Sequence, residues 1–97
     1  MIIQASAVAT GSGALVISGQ PGSGKSRLAW RFIAGGARLI ADDLLEMEQD
    51  GEGVWLCRYP RLAPRELRGL LYCRMLGFIA VPHCVSPVRV ADRIDLA

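Results

Sequence analysis

Residues Gly19-Gln20-Pro21-Gly22-Ser23-Gly24-Lys25-Ser26 match GxxxxGK[ST] at every specified position, and this stretch constrains the fold more than any other. Glycines there let the backbone turn and approach a ligand without a Cβ, so successive N–H groups can line a concave anion site at the amino end of a following helix. The pattern requires a strand before it and a helix after it. Ala14 to Ser18 is a suitable apolar run, and Ser26 to Ile33 puts Leu28, Ala29, Phe32 and Ile33 on one helical face before Gly35-Gly36 stops it. Without that context the same residues would be a solvated glycine turn.

The rest of the chain supplies short strands. Ile3 to Ala9 and Ala14 to Ser18, joined by Thr10-Gly11-Ser12-Gly13, predict a β-hairpin leading into the loop. Arg38 to Ala41 reads as a buried strand ending at Asp42-Asp43, and residues 44–58 read as a second hairpin turning at Gln49 to Gly53. Tyr59 to Arg68, with Pro60 and Pro64, predicts a loop with at most one helical turn at Arg65 to Leu67. Leu70 to Val81 is apolar, interrupted by Arg74 and Gly77, and Val88 to Leu96 is a last strand. The expected fold is α/β: a small P-loop domain with a mixed β-sheet, an N-terminal β-hairpin and one main helix.

At 97 residues, 52% hydrophobic, the chain is expected to be one domain, 1–97. A domain this small buries a modest share of its surface, which leaves room for stabilisation by a ligand or a homo-oligomer. No apolar run approaches the roughly 18–20 residues needed to span a bilayer, so no membrane segment is expected. No basic stretch leads into an apolar core at the start, and the three cysteines form no CxxC pair; a reducing, cytoplasmic location is expected. A net charge of +2 makes no case for nucleic acid.

Charge is segregated nevertheless. Residues 42–52 hold six acids and no base, and residues 58–74 hold five arginines against one glutamate, which predicts one acidic and one basic face. The arginines could hold a phosphate or an acidic partner, or be solvated surface. Cys57, Cys73, His83 and Cys84 lack the paired spacing of a zinc site. Core packing accounts for Trp30 and Trp55 more cheaply than base stacking.

The only lysine among eleven basic residues is Lys25, inside the loop, where it can serve as a point charge for the β- and γ-phosphates of a nucleotide; the Ser26 hydroxyl can ligate Mg²⁺. A helix of about three turns and a return strand separate Lys25 from Asp42, a crossover that lays the two strands parallel and ends both at one edge. Asp42 and Asp43 are thereby expected near the loop, where one can bind Mg²⁺ or take a proton from an attacking hydroxyl. They could instead simply cap the next turn.

With loop and acids in place, the chain resembles the C-terminal catalytic domain of HPr kinase/phosphorylase, in its short form without the N-terminal domain. The resemblance runs through Ile3-Gln4-Ala5-Ser6, Gly13 to Gly19, the loop, and Gly36-Ala37-Arg38-Leu39-Ile40-Ala41-Asp42-Asp43. It resumes at Leu70 to Pro82, where Arg74 and Gly77 keep the pattern of the family's second signature. It implies a phosphotransferase that uses ATP, with Mg²⁺, to phosphorylate a serine of the carrier protein HPr. It implies nucleotide binding by Gly19 to Ser26, metal binding by Ser26, and proton transfer by Asp43.

Three positions depart from the family. Gln4 stands where the resemblance puts a histidine, and a Gln cannot titrate near neutral pH to set the protonation of Asp43. Tyr72 stands in place of a metal-binding glutamate, and Met75 in place of a glycine. A C-terminal segment with a further catalytic arginine and helices used in assembly is expected to be missing after Ala97. Weakened transfer follows, or a nucleotide-binding regulatory or interaction module that has lost catalysis.

Overall fold

The computed structural model describes residues 1–96. Strands β1 (Ile2–Thr10) and β2 (Gly13–Gly19) form the expected antiparallel hairpin, paired from Ala5↔Ser18 to Thr10↔Gly13. Helix α1 (Lys25–Ala34) follows, and β3 (Arg38–Ala41) returns along the far edge of β1, antiparallel to it. Because β2 and β3 each run against β1, they are parallel to one another with β1 between them. That is the crossover expected from the spacing.

β4 (Leu44–Gln49) and β5 (Trp55–Arg58) form the second hairpin, with Asp50 Oδ1 accepting the Glu52 and Val54 backbone N–H groups at its turn. A 3-10 turn at Arg65–Leu67 precedes a separate two-stranded hairpin, β6 (Leu70–Cys73) and β7 (Gly77–Ala80). β8 (Val88–Leu96) enters beside β2, parallel to it, and also pairs antiparallel with β5. Six strands therefore make one mixed sheet in the order β2-β8-β5-β4-β1-β3, and the β1–β2 pairing closes it into a ring.

Period-two alternation divides the core between the two faces of this sheet. Ala5, Ala7, Ala14 and Val16 face Ile40, Leu45 and Cys57 inside the ring, where small side chains suit the tight closure. Val8, Leu15 and Ile17 face the other way, against Ala29 and Ile33 of α1 and Leu71 of β6. The Ala14–Ile17 run is apolar throughout because β2 is buried on both faces. Burial also pushes the Cys57 thiol up to about 11, as suits a core filler.

Two expectations are corrected. The acidic and basic runs do not form separate faces: β4 and β5 are neighbours, so Arg58 pairs with Glu48, and Arg61 grips Glu46 at 2.6 Å through Nη2 and 2.9 Å through Nε. The tryptophans do not pack away, Trp30 being 46% and Trp55 39% exposed, because the inward helical face belongs to Ala29 and Ile33 and the buried position of β5 to Cys57. No helix among the described residues is long and apolar enough to cross a membrane.

Candidate functional site

The glycine-rich loop connects the end of β2 to the start of α1. Gly19 must lack a side chain, since a Cβ would lie 2.9 Å from the Leu96 carbonyl oxygen of β8 and 2.6 Å from Ser23 Oγ. Gly24 takes φ +98, in the left-handed region, immediately before the helix. The amino end of α1 has neither a side-chain cap nor an acid in its first turn, so its N–H groups remain open to an anion. Lys25 is buried, and its Nζ donates to the carbonyls of Gly19 (2.8 Å) and Gln20 (3.1 Å). The buried ammonium is thus satisfied by two carbonyls of its own loop.

Asp42 and Asp43 sit where β3 ends and β4 begins, both along the same edge of β1. The chain jogs there: Asp43 takes φ +75, its carbonyl accepts the Ala5 N–H at 2.9 Å, and the Asp42 carbonyl accepts the Leu44 N–H at 3.0 Å. Asp42 is the junction of three elements. Its Oδ1 accepts Ser26 Oγ of α1 at 2.8 Å and Ser6 Oγ of β1 at 2.7 Å, and its Oδ2 accepts the Tyr72 backbone N–H of β6 at 3.0 Å. Asp43 is exposed and engages little besides backbone. Asp42 therefore does more than cap a turn.

The structure thus brings Lys25, Ser26, Asp42 and Asp43 together with Arg74. A cavity of about 920 Å³ between the loop, α1 and the β6–β7 hairpin is lined by Gly22, Gly24, Lys25, Ser26, both aspartates and Arg74. A second, of about 390 Å³, opens on the other side of the aspartates toward Tyr59 and Leu67. Asp43 borders both. Gly77 lies outside these walls; its φ of +79 turns the hairpin. Gln4 pairs with Leu44 one residue from Asp43, and Tyr72 borders both cavities.

Sequence reasoning missed Ser6 and the Tyr72 N–H. Ser6 left one signal, a hydroxyl in an otherwise apolar run that is wholly buried. The Tyr72 N–H left none, because a backbone donor is independent of residue type.

The donor set suits the chemistry expected of it. An uncapped helix end and a lysine complement phosphate oxygens, and a hydroxyl beside a carboxylate offers the hard oxygen ligands Mg²⁺ takes.

No protein-family model matches the chain. Among curated proteins it is 36% identical over 84 residues to "HPr kinase/phosphorylase" of a Geobacillus species, an alignment that spans 84% of this chain and 27% of that protein. It is 41% identical over 67 residues to the "HPr kinase/phosphorylase" of an Exiguobacterium species, spanning 69% of this chain and 20% of that one. The chain thus spans about a quarter of the curated relatives it matches. Its fold is that of the Hpr(Ser) kinase/phosphatase from Coxiella burnetii, with a TM-score of 0.82 over 98% of this chain and 64% of that one at 23% identity. Over most of its residues the chain is a homologue of the HPr kinase/phosphorylases.

Proposed function

We propose that this chain binds Mg-ATP at Gly19 to Ser26 and transfers the terminal phosphoryl group to a serine hydroxyl of HPr or a related phosphocarrier protein, in the cytoplasm. The observation that carries the proposal is the 2.8 Å hydrogen bond from Ser26 Oγ to Asp42 Oδ1, which ties the glycine-rich loop to the acid pair.

In this reading the open N–H groups of the loop and α1 hold the phosphate chain, and Lys25 gives up its carbonyl partners to meet the β- and γ-phosphates. Ser26 and Asp42 hold Mg²⁺, which when bound neutralises charge on the phosphate oxygens. Asp43, exposed between the two cavities, takes the proton of the acceptor hydroxyl as its oxygen bonds to the terminal phosphorus and the bond to the leaving ADP breaks. Arg74, on the opposite wall, faces the same space.

Gln4 and Tyr72 favour slow transfer. Gln4, paired with Leu44 one residue from Asp43, carries no titratable group, and Tyr72 brings a phenol where a carboxylate would strengthen the hold on the metal. The second reading, a nucleotide-binding module without turnover, rests on the same two residues.

One experiment addresses binding directly. Mg-ATP at 100 times its Kd should stabilise the fold by about 2.7 kcal/mol, read as a rise in melting temperature, and Lys25→Ala should abolish the rise. Equal affinity of parent and variant by calorimetry would remove the nucleotide assignment. Transfer from labelled ATP to HPr then separates the two readings, since binding without any transfer supports the module.

A further inference from the structure

Beyond the phosphate end, the 920 Å³ cavity carries side chains that phosphate chemistry does not use. Trp30 of α1 lines it, and so do Met75 and Leu76 in the β6–β7 turn. All three are open to solvent, at 46%, 89% and 73%. Large apolar side chains left facing one another across a cavity mark a surface that a ligand covers. Trp30 stands four residues after Ser26, on the same helical face and about 6 Å farther along the axis. A group bound through its phosphates at Ser26 thus meets Trp30 next along the helix.

We propose that Trp30, with Met75 and Leu76 opposite, forms the nucleobase wall of the site, so that the base of the bound nucleotide stacks on the indole. This rests on the nucleotide-binding reading above and adds where the base lies and how it is read. Occupancy by a base follows from continuity, since Gly22, Gly24, Lys25 and Ser26 line the same cavity. A purine has a flat π-face that suits an indole and a thioether. Among these three side chains the indole N–H is the one strong hydrogen-bonding group, beside a weakly accepting thioether, and that is too little to tell one purine from another. Selectivity between adenine and guanine is accordingly weak, and affinity is gained from stacking.

The test measures binding of Mg-ATP, Mg-GTP and Mg-tripolyphosphate by calorimetry in the full chain. ATP and GTP should bind within several-fold of each other, and each about tenfold or more tighter than tripolyphosphate, the order that base–aromatic stacking supplies. Trp30→Ala should remove that margin while leaving tripolyphosphate affinity unchanged, and Trp30→Phe should keep most of it. In a Trp55→Phe background the fluorescence of Trp30 should change with ATP and not with tripolyphosphate. Equal affinity of the parent for ATP and tripolyphosphate, or full ATP affinity in Trp30→Ala, would overturn the base wall and leave the phosphate loop standing. Binding of none of the three probes would overturn the loop reading, and the base wall with it.

Discussion

Truncating Asp42 to alanine should destabilise the fold far more than an average surface change, because this half-buried carboxylate is where β1, α1 and β6 meet. It accepts hydrogen bonds from Ser6 Oγ, Ser26 Oγ and the Tyr72 N–H. A hydrogen bond to a charged group is worth about 1.5–3 kcal/mol, and stranding a buried donor costs about 1–3 kcal/mol. Ser26 and the exposed Tyr72 can turn to water once the carboxylate is gone. Ser6 is wholly buried and cannot. The expected loss is therefore about 2–4 kcal/mol, set mainly by the stranded Ser6 hydroxyl. In a domain of this size that lowers the melting temperature by about 10–30 °C. Asp42→Asn keeps one acceptor oxygen for the two serines but turns an amide N–H₂ toward the Tyr72 N–H, so it should cost less, about 1–2 kcal/mol. Circular dichroism melts and urea titrations of both variants supply the numbers. A double-mutant cycle of Ser6→Ala with Asp42→Ala should return a coupling of at least about 1 kcal/mol. An alanine variant melting within about 3 °C of the parent, or a coupling near zero, would refute the view of Asp42 as the tie between elements.

Asp43→Asn should leave Mg-ATP affinity nearly unchanged and abolish transfer from labelled ATP to HPr; surviving transfer would assign the proton to another group. Gln4→His combined with Tyr72→Glu should raise transfer, with 10²- to 10⁴-fold the scale that general acid–base help supplies. Robust transfer by the unmodified chain would contradict the weakening ascribed to those two residues. The Glu46 carboxyl is held below its ordinary value of 4.5 by the Arg61 backbone N–H and then by the Arg61 guanidinium. A carboxyl lowered in the folded state contributes stability that is full above its unfolded value and fades as the pH falls through the folded one. Chemical denaturation of parent and Glu46→Gln should therefore differ most at neutral pH and converge below about pH 4.5, and a difference unchanged down to pH 3 would exclude the charged pair as its source.

What the amino-acid order determined by itself was local. The Gly19–Ser26 loop, the helix that Gly35-Gly36 ends, the first two hairpins and the 3-10 turn at Arg65–Leu67 all follow from turn chemistry and periodicity within a dozen or so residues. The meeting of Ser26 with Asp42 was also legible, because a helix and one return strand leave few other places for the chain to go. The third hairpin was only an apolar run at Leu70 to Val81, and its pairing across Cys73–Gly77 became visible in three dimensions.

Tertiary structure alone decided the rest. Nothing in Val88 to Leu96 announces that β8 will slot in parallel beside β2 and close the sheet, since the pairing of a strand depends on which edge is left open after the others have formed. The ion pairs that merge the acidic and basic runs depend on β4 and β5 lying side by side, and the Asp42 junction depends on bringing residues 6, 26, 42 and 72 to one point. Trp30 shows the division most plainly. Its helical position was evident from the sequence, but whether an indole is buried or left facing a cavity depends on what packs against that face. There the turn between β6 and β7 borders a cavity beside the indole and leaves it half open, although Leu71 of β6 packs with α1 in the core.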